Sequence, residues 1–251
     1  MTIEAVDRAR DAAPPALSRL LVTLRDPQTR QYVPTGFLQQ ASDHYSFAYL
    51  RSAMERPDFR PLPGLAHARD GMMRAASLFP VFAERVVSSR RPDRAASMTA
   101  LGLPVGAAPF EVLARSHGQR VGDTIELLPA PVSGPGDFVS FPFLTHGVRH
   151  LDQQEQDRIA ELRTGEELRL VRDTENPVNP QAFLVADHGE TRLGWVPDPI
   201  ISVVEALTDH RLIVERANGP EVGFHFRLLV TISGTAPLDR GLFTGPEWDT
   251  R

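Results

Sequence analysis

VRDTENPVNPQAFLV, Val171 to Val185, sets two Asn-Pro steps between two apolar runs. Each proline fixes its own φ and lacks a backbone donor, and an Asn side chain readily bonds the backbone two residues on, so this is a stiff turn between strands. The flanking segments agree with that reading. EELRLVRD, QAFLVAD and TRLGWVP are short runs rich in β-branched and aromatic residues, and DHGE between the last two has hairpin-turn chemistry. Upstream, DFVSFPFL reads as a strand and DQQEQDRIAELRTG as an amphipathic helix with Ile159 and Leu162 on one face and Gly165 at its end. Downstream, DPIISVVEALTDH reads as a helix capped by Asp198 with Pro199 at its first position. RLIVERAN and GFHFRLLVTISG then pair antiparallel. The expectation for residues 138–236 is a mainly-β, OB-like, partly open barrel with two short helices.

A Pro/Gly/Ser cluster, PAPVSGPGDF, precedes this region and marks residues 133–137 as a linker. Residues 15–132 read as an α+β module. RLLVTLRD, HYSFAYL and DTIELLP are its strands, and RPDRAASMTALG and APFEVLARSHG are helices closing at Gly102 and Gly118. DGMMRAASLFPVFAERVVSS is expected to be a longer helix, capped by Asp70 and divided at Pro80. Residues 1–14 and the tail 237–251 lack periodicity and are expected to lie loosely on the surface.

Two absences restrict the chemistry. Among 251 residues there is no cysteine, which excludes disulfides and thiolate nucleophiles, and every one of the 27 basic side chains is Arg. Without lysine there is no Gly-Lys-Ser/Thr phosphate loop, no kinase strand lysine and no Schiff base. No stretch reaches the length of a membrane span, and the N-terminus lacks a basic region followed by an apolar one, so a cytoplasmic protein without a membrane partner is expected. Charge is uneven: residues 1–132 carry 16 Arg against 13 acidic groups and residues 133–251 carry 11 against 19, within a net −5. An acidic half disfavours a phosphate backbone unless Arg gathers locally.

The order from Gly165 to Leu207 resembles the HIRAN domain. Arg172, Asp173, Asn176, Pro177, Ala182, Gly194, Trp195, Val196 and Pro197 stand where that family has its Arg-Asp/Glu step, its Asn-Pro-x-Asp loop, an Ala before a strand, and Gly-aromatic-Val-Pro. The resemblance implies a barrel that grips single-stranded DNA or a DNA end, with the 3′ hydroxyl near the Asn-Pro loop. It assigns DNA contacts to Arg149, His150, Arg172, Asn176, Asn179 and Phe224. In that scheme Arg149 and Arg172 neutralise phosphates, the two Asn read the terminal sugar or phosphate, and Phe224 stacks on a base. Val178 and Asn179 depart from the family, which has an aromatic and an Asp there, so a charge-assisted bond to a terminal hydroxyl is lost. The residue-level alternative is that Asn176 to Pro180 is a rigid turn satisfying its own backbone, with Trp195 a packing ring.

The first half is similar to the N-terminal subdomain of HipA-type serine/threonine kinases, on Leu78 to Phe82, Leu101 to Leu103, Pro109 to Ala114, Gly118 to Asp123 and Leu127 to Pro129. That family's catalytic core is absent here, so the resemblance implies a regulatory module, not an enzyme. Two functions follow: a non-enzymatic nucleic-acid-binding protein, or a protein-interaction regulator that caps a separately encoded HipA-like kinase. No cofactor is expected.

Other constellations carry less. His146 and His150 would share a helical face as metal ligands if that segment were helical. The His residues of SHG (Ser116 to Gly118) and FHF (Phe224 to Phe226) have no oriented acid in sequence, and the carboxylates of DQQEQD and GEE read as a solvated helix face and strand start. Arg90, Arg91 and Arg94 form the densest basic cluster and read as a solvated loop or a phosphate-docking patch.

Overall fold

A computed structural model describes residues 18–29, 31–120, 122, 124–131, 134–236, 242–243 and 245–250. The architecture is mixed, with two antiparallel sheets and short helices. The first sheet holds β1 (Arg19–Arg25), β2 (Tyr32–Gln40), β3 (Tyr45–Tyr49), β4 (Met73–Ala75) and β5 (Ile125–Pro129), in the order β4-β3-β2-β1-β5. The second holds β6 (Phe138–Leu144), β7 (Glu167–Arg172), β8 (Phe183–Ala186), β9 (Arg192–Trp195), β10 (Thr208–Ala217) and β11 (Leu228–Thr235), in the order β6-β11-β10-β7-β8-β9.

Alternation along the strands explains how the sheets meet. Leu20 and Val22 of β1, Leu38 of β2 and Ile125 and Leu127 of β5 pack in one core with Phe47, Tyr49, Phe82 and Phe110. The intervening Leu21, Phe37 and Leu128 point to the opposite face and join a second core with Val139, Phe141 and Phe143 of β6 and the interior of the second sheet. The first sheet is therefore covered on both faces, and its strands read as nearly unbroken apolar runs rather than as half-solvated alternation. Glu126 lies on the Leu128 side and is fully buried.

The second sheet curls until its two edge strands meet. His146, just past β6, and Trp195, at the end of β9, exchange both backbone hydrogen bonds, with N to O distances of 2.8 and 2.9 Å. One residue pair thus closes a partly open barrel. The closure demands glycine on both sides: Gly194 sits at φ +128° and Gly147 at +75°. A Cβ on Gly194 would lie 2.8 Å from the His146 carbonyl oxygen, and one on Gly147 would lie 2.5 Å from the Trp195 ring.

Six α-helices occur among the described residues: α1 (Arg51–Met54), α2 (Pro80–Ala83), α3 (Arg94–Ala100), α4 (Pro109–Ser116), α5 (Gln153–Glu161) and α6 (Ile201–Ala206). None is long and apolar enough to cross a membrane. Asp152 opens α5 with a capping box, accepting from the Glu155 N–H while the Glu155 carboxylate accepts from its own N–H.

Several sequence expectations need correction. The long helix from Asp70 to Ser89 is instead β4, paired with β3, followed by the single turn of α2. Pro80 begins that turn and Phe79 before it is extended, as the residue preceding a proline prefers. β2 was hidden by Pro34 and Gly36: the ladder with β1 shifts register beside Pro34, and Gly36 is needed because a Cβ there would meet the Ala48 carbonyl at 2.5 Å. α5 ends at Glu161, before Gly165, where Leu162 turns into the core. Asp198 does not cap α6, which follows a 3-10 turn, Asp198–Ile200.

The tail is not loose where it is described. Phe243 is buried and packs edge-on against Phe37 and Trp248, the Arg51 N–H donates to the Asp249 carbonyl, and Leu50 bridges Thr250. Residues 1–14 lie outside the described residues. Substituting Gly194→Ala is expected to destabilise the protein by ~2 kcal/mol or more, from a strained φ and a backbone clash at the barrel closure. Urea denaturation of the variant beside Gly64→Ala checks this. Gly64 also has positive φ but open space around it, so the excess cost at Gly194 measures the closure itself.

Candidate functional site

The closure pair stands beside the most unusual polar cluster of the molecule. Glu126 Oε1 receives three hydrogen bonds: from His146 Nε2 at 2.8 Å, His117 Nδ1 at 3.1 Å and Gln119 Nε2 at 3.2 Å. His117 is fully buried, takes the left-handed conformation that ends α4, and turns its ring between the sheets. Its other nitrogen, Nε2, accepts the backbone N–H of Leu144 at 3.3 Å. That contact places the ring proton on Nδ1, where it donates to Glu126.

The same contact decides against a metal. Ligand atoms of His117, Glu126 and His146 lie within 4.8 Å of one another, as a three-ligand site would require. A metal on His117 Nδ1 needs that nitrogen unprotonated and the proton on Nε2, which would then face the Leu144 N–H donor. The residues fit a charge cluster, not a metal centre. His146 and His150 do not share a helical face either, since His146 is in the closure bridge and Val148–His150 form a 3-10 turn.

Electrostatics divide the two imidazoles. Burial raises the Glu126 carboxyl, but the two histidines outweigh it and hold it well below the ordinary 4.5. Burial likewise opposes charge on His146, yet the Glu126 carboxylate, with Asp198 beyond, lifts it above 6.5. For His117 burial wins, and it is held below 6.5. The cluster is thus one carboxylate, one imidazolium and one neutral imidazole. Sequence reading missed it because Glu126 sits in an apolar strand whose second face becomes buried only through the other half of the chain.

His146 opens onto a cleft of about 150 Å³ between the halves. Arg25 and Tyr32, from the ends of β1 and β2, form one wall, and Arg149, His150, Phe224 and His225 form the other. The Tyr32 and His146 rings lie 5.7 Å apart. Phe224 is half exposed, and Arg149 Nε donates to His150 Nε2 at 3.0 Å. Among the described residues, no carboxylate lines this cleft.

Three of the six residues assigned from sequence, Arg149, His150 and Phe224, are brought together here. The other three are not. Asn176 Oδ1 accepts the N–H groups of Val178 and Asn179, while its Nδ2 donates to Asp173. Asn179 Oδ1 accepts from Gln181 N–H and its Nδ2 donates to Asp198 at 2.9 Å. Both amides are therefore engaged, by the turn and, for Asn179, by Asp198. Arg172 donates to the Gln181 carbonyl, pairs with Glu205 and stacks over Phe183. The Asn-Pro loop borders the cleft indirectly: Trp195, half-buried against Gly147, donates its indole N–H to Asp173, and Asp198 acts on His146.

Other sequence candidates resolve as structure. Arg94 is buried and donates to the carbonyls of Val87, Val105 and Ala107, and Arg91 pairs with Asp93. Glu155 is buried and pairs with Arg192, and Glu166 shares Arg158 with Asp187, whereas Asp152, Asp157 and Glu167 are exposed as expected of a solvated helix face and strand start. His117 does have an oriented acid, Glu126, but Ser116 beside it accepts the Gly118 N–H.

No family model matches the chain, and no curated protein matches it. Among solved structures it is similar to a protein from Lactobacillus plantarum, at 17% identity over 40% of this chain and 99% of that one, with a TM-score of 0.30. It is also similar to the HIRAN domain of human HLTF, at 14% identity over 42% of this chain and 85% of that one, with a TM-score of 0.29. Neither lends support to the HipA-type resemblance of the first half.

The charge cluster fixes a pH dependence. The depressed Glu126 contributes stability above its unfolded value near 4.5 that is lost as pH falls through its folded value. The raised His146 contributes stability below 6.5 that is lost as pH rises through its folded value. The pair stabilises most between those two limits. Urea midpoints across pH 2 to 9 are expected to fall below about 4.5 on the acid side and above about 6.5 on the alkaline side, and His146→Gln is expected to flatten the alkaline limb; parallel alkaline limbs for the two proteins would contradict the assignment. Glu126→Gln is expected to cost ~2–3 kcal/mol, because a partly buried imidazolium loses its counter-charge.

Proposed function

We propose that this chain is a nucleic-acid-binding module whose site is the cleft between the two sheets, taking single-stranded DNA or a DNA end. The observation that carries the reading is the lining itself: Arg25, Arg149 and three histidines surround the cleft with two aromatic rings and, among the described residues, no carboxylate, in a chain whose second half is acidic. Cationic groups supply the sequence-independent attraction for phosphates by displacing counterions, and a half-exposed ring such as Phe224 supplies a stacking platform worth ~1–3 kcal/mol per base. The HIRAN-like order of motifs supports the same class.

The reading moves the weight of binding away from the Asn-Pro loop. Asn176 and Asn179 hold the turn, and the turn holds Trp195 and Asp198 against the closure beside the cleft. Binding without catalysis is the role proposed, on the cationic and aromatic groups that line the cleft.

Fluorescence anisotropy of a labelled single strand tests it. Arg149→Ala and Phe224→Ala are each expected to weaken binding by ~1–3 kcal/mol. Arg211→Ala, an exposed partner of Glu167 on the barrel, is expected to leave it unchanged. Affinity is expected to fall steeply with salt. Equal affinity in all three variants, or no binding at low salt, would remove the cleft from the account.

A further inference from the structure

The chemistry of the cleft selects among strand ends. A terminal hydroxyl is read by an acceptor, most strongly by a carboxylate, and a terminal phosphate by cationic donors. Among the described residues, the carboxylates near the cleft stand behind its lining or accept from neighbours. Glu126 lies behind His146 with its Oε1 receiving three donors, Asp198 accepts from Asn179, and Asp173 accepts from Trp195 and Asn176. At the surface of the cleft stand donors instead: the His146 ring, pinned from behind by Glu126, and the Arg149 guanidinium, which makes no ion pair among the described residues.

We propose that the cleft seats a terminal phosphomonoester of a single strand between His146 and Arg149, with Phe224 beside it for the last base. The proposal rests on the nucleic-acid reading above and names the end that it recognises. A phosphomonoester offers three acceptor oxygens and carries about −1.5 to −2 charges, against one for a phosphate within the chain, so an imidazolium and a guanidinium distinguish it from both an internal phosphate and a hydroxyl.

Recognition then depends on the His146 proton. The groups facing that ring are Glu126, with His117 behind it, and Asp198, which favour or relay the charge, and Arg25 and His225, which oppose it, with the Tyr32 ring tilted against its side. Glu126 and Asp198 prevail, which keeps the ring charged above the ordinary imidazole range and ties phosphate affinity to pH.

The test compares one labelled strand with free hydroxyl ends, with a 3′ phosphate and with a 5′ phosphate, at pH 6 and pH 9, by anisotropy. At pH 6 one phosphorylated strand is expected to bind about tenfold more tightly than the hydroxyl strand. That advantage is expected to shrink at pH 9, and to be lost in Arg149→Ala, an exposed substitution outside the buried cluster. His146→Gln, if folded by its circular dichroism, is expected to lose the pH dependence. Inorganic phosphate is expected to displace the strand only at far higher concentration. Equal affinity for all ends, or a preference for the hydroxyl, overturns the phosphate proposal and leaves nucleic-acid binding intact. Inorganic phosphate competing at the strand's own affinity overturns it in favour of a free-phosphate site. No binding of any strand overturns the underlying reading.

Discussion

A single carboxylate, buried between two sheets, ties this molecule together. Glu126 is carried into the interior on a strand otherwise apolar, and its charge is tolerated because two imidazoles and an amide converge on one oxygen. His117 brings the end of a first-half helix to it, and His146 brings the barrel closure. Each partner has a second tie: His117 accepts the Leu144 N–H of β6, and His146 exchanges backbone bonds with Trp195 of β9. Removing the carboxylate therefore loosens the contact between halves and the edge-to-edge seam of the barrel at once.

The proposed site grows from the same place. The seam leaves a cleft whose floor is the outer side of His146 and whose walls come from β-strand ends of the first sheet and turns of the second. The excess negative charge of the second half stands outside the cleft lining, on exposed groups such as Asp157, Glu161 and Glu175. A locally cationic cleft in an acidic chain is what allows a polyanionic ligand to be considered at all.

Much of the second half was legible in its sequence. Strand periodicity, the DHGE hairpin and the Asn-Pro turn all correspond to elements of the barrel, because each is decided locally, by turn chemistry and by alternation. The first half was harder. β2 carries Pro34 and Gly36, which read as loop residues but serve a register shift and a close strand approach, and the apolar spacing around Pro80 imitated a helix. The site was half legible. Arg149, His150 and Phe224, named from the resemblance, line one cleft, whereas Asn176 and Asn179 bond within their turn and to Asp173 and Asp198. Glu126, His117, Arg25 and Tyr32 were invisible as site residues, since only the packing of one half on the other brings them to His146.

The central claim is that the ligand surface is composite, built from both halves around His146. Two-dimensional NMR of the labelled protein, titrated with a short single strand, tests this directly. The account predicts that the Tyr32 and Gln119 resonances of the first half shift together with those of His146, Arg149 and Phe224. Shifts confined to the loop from Arg172 to Asn179, with Tyr32 and Gln119 unmoved, would contradict it.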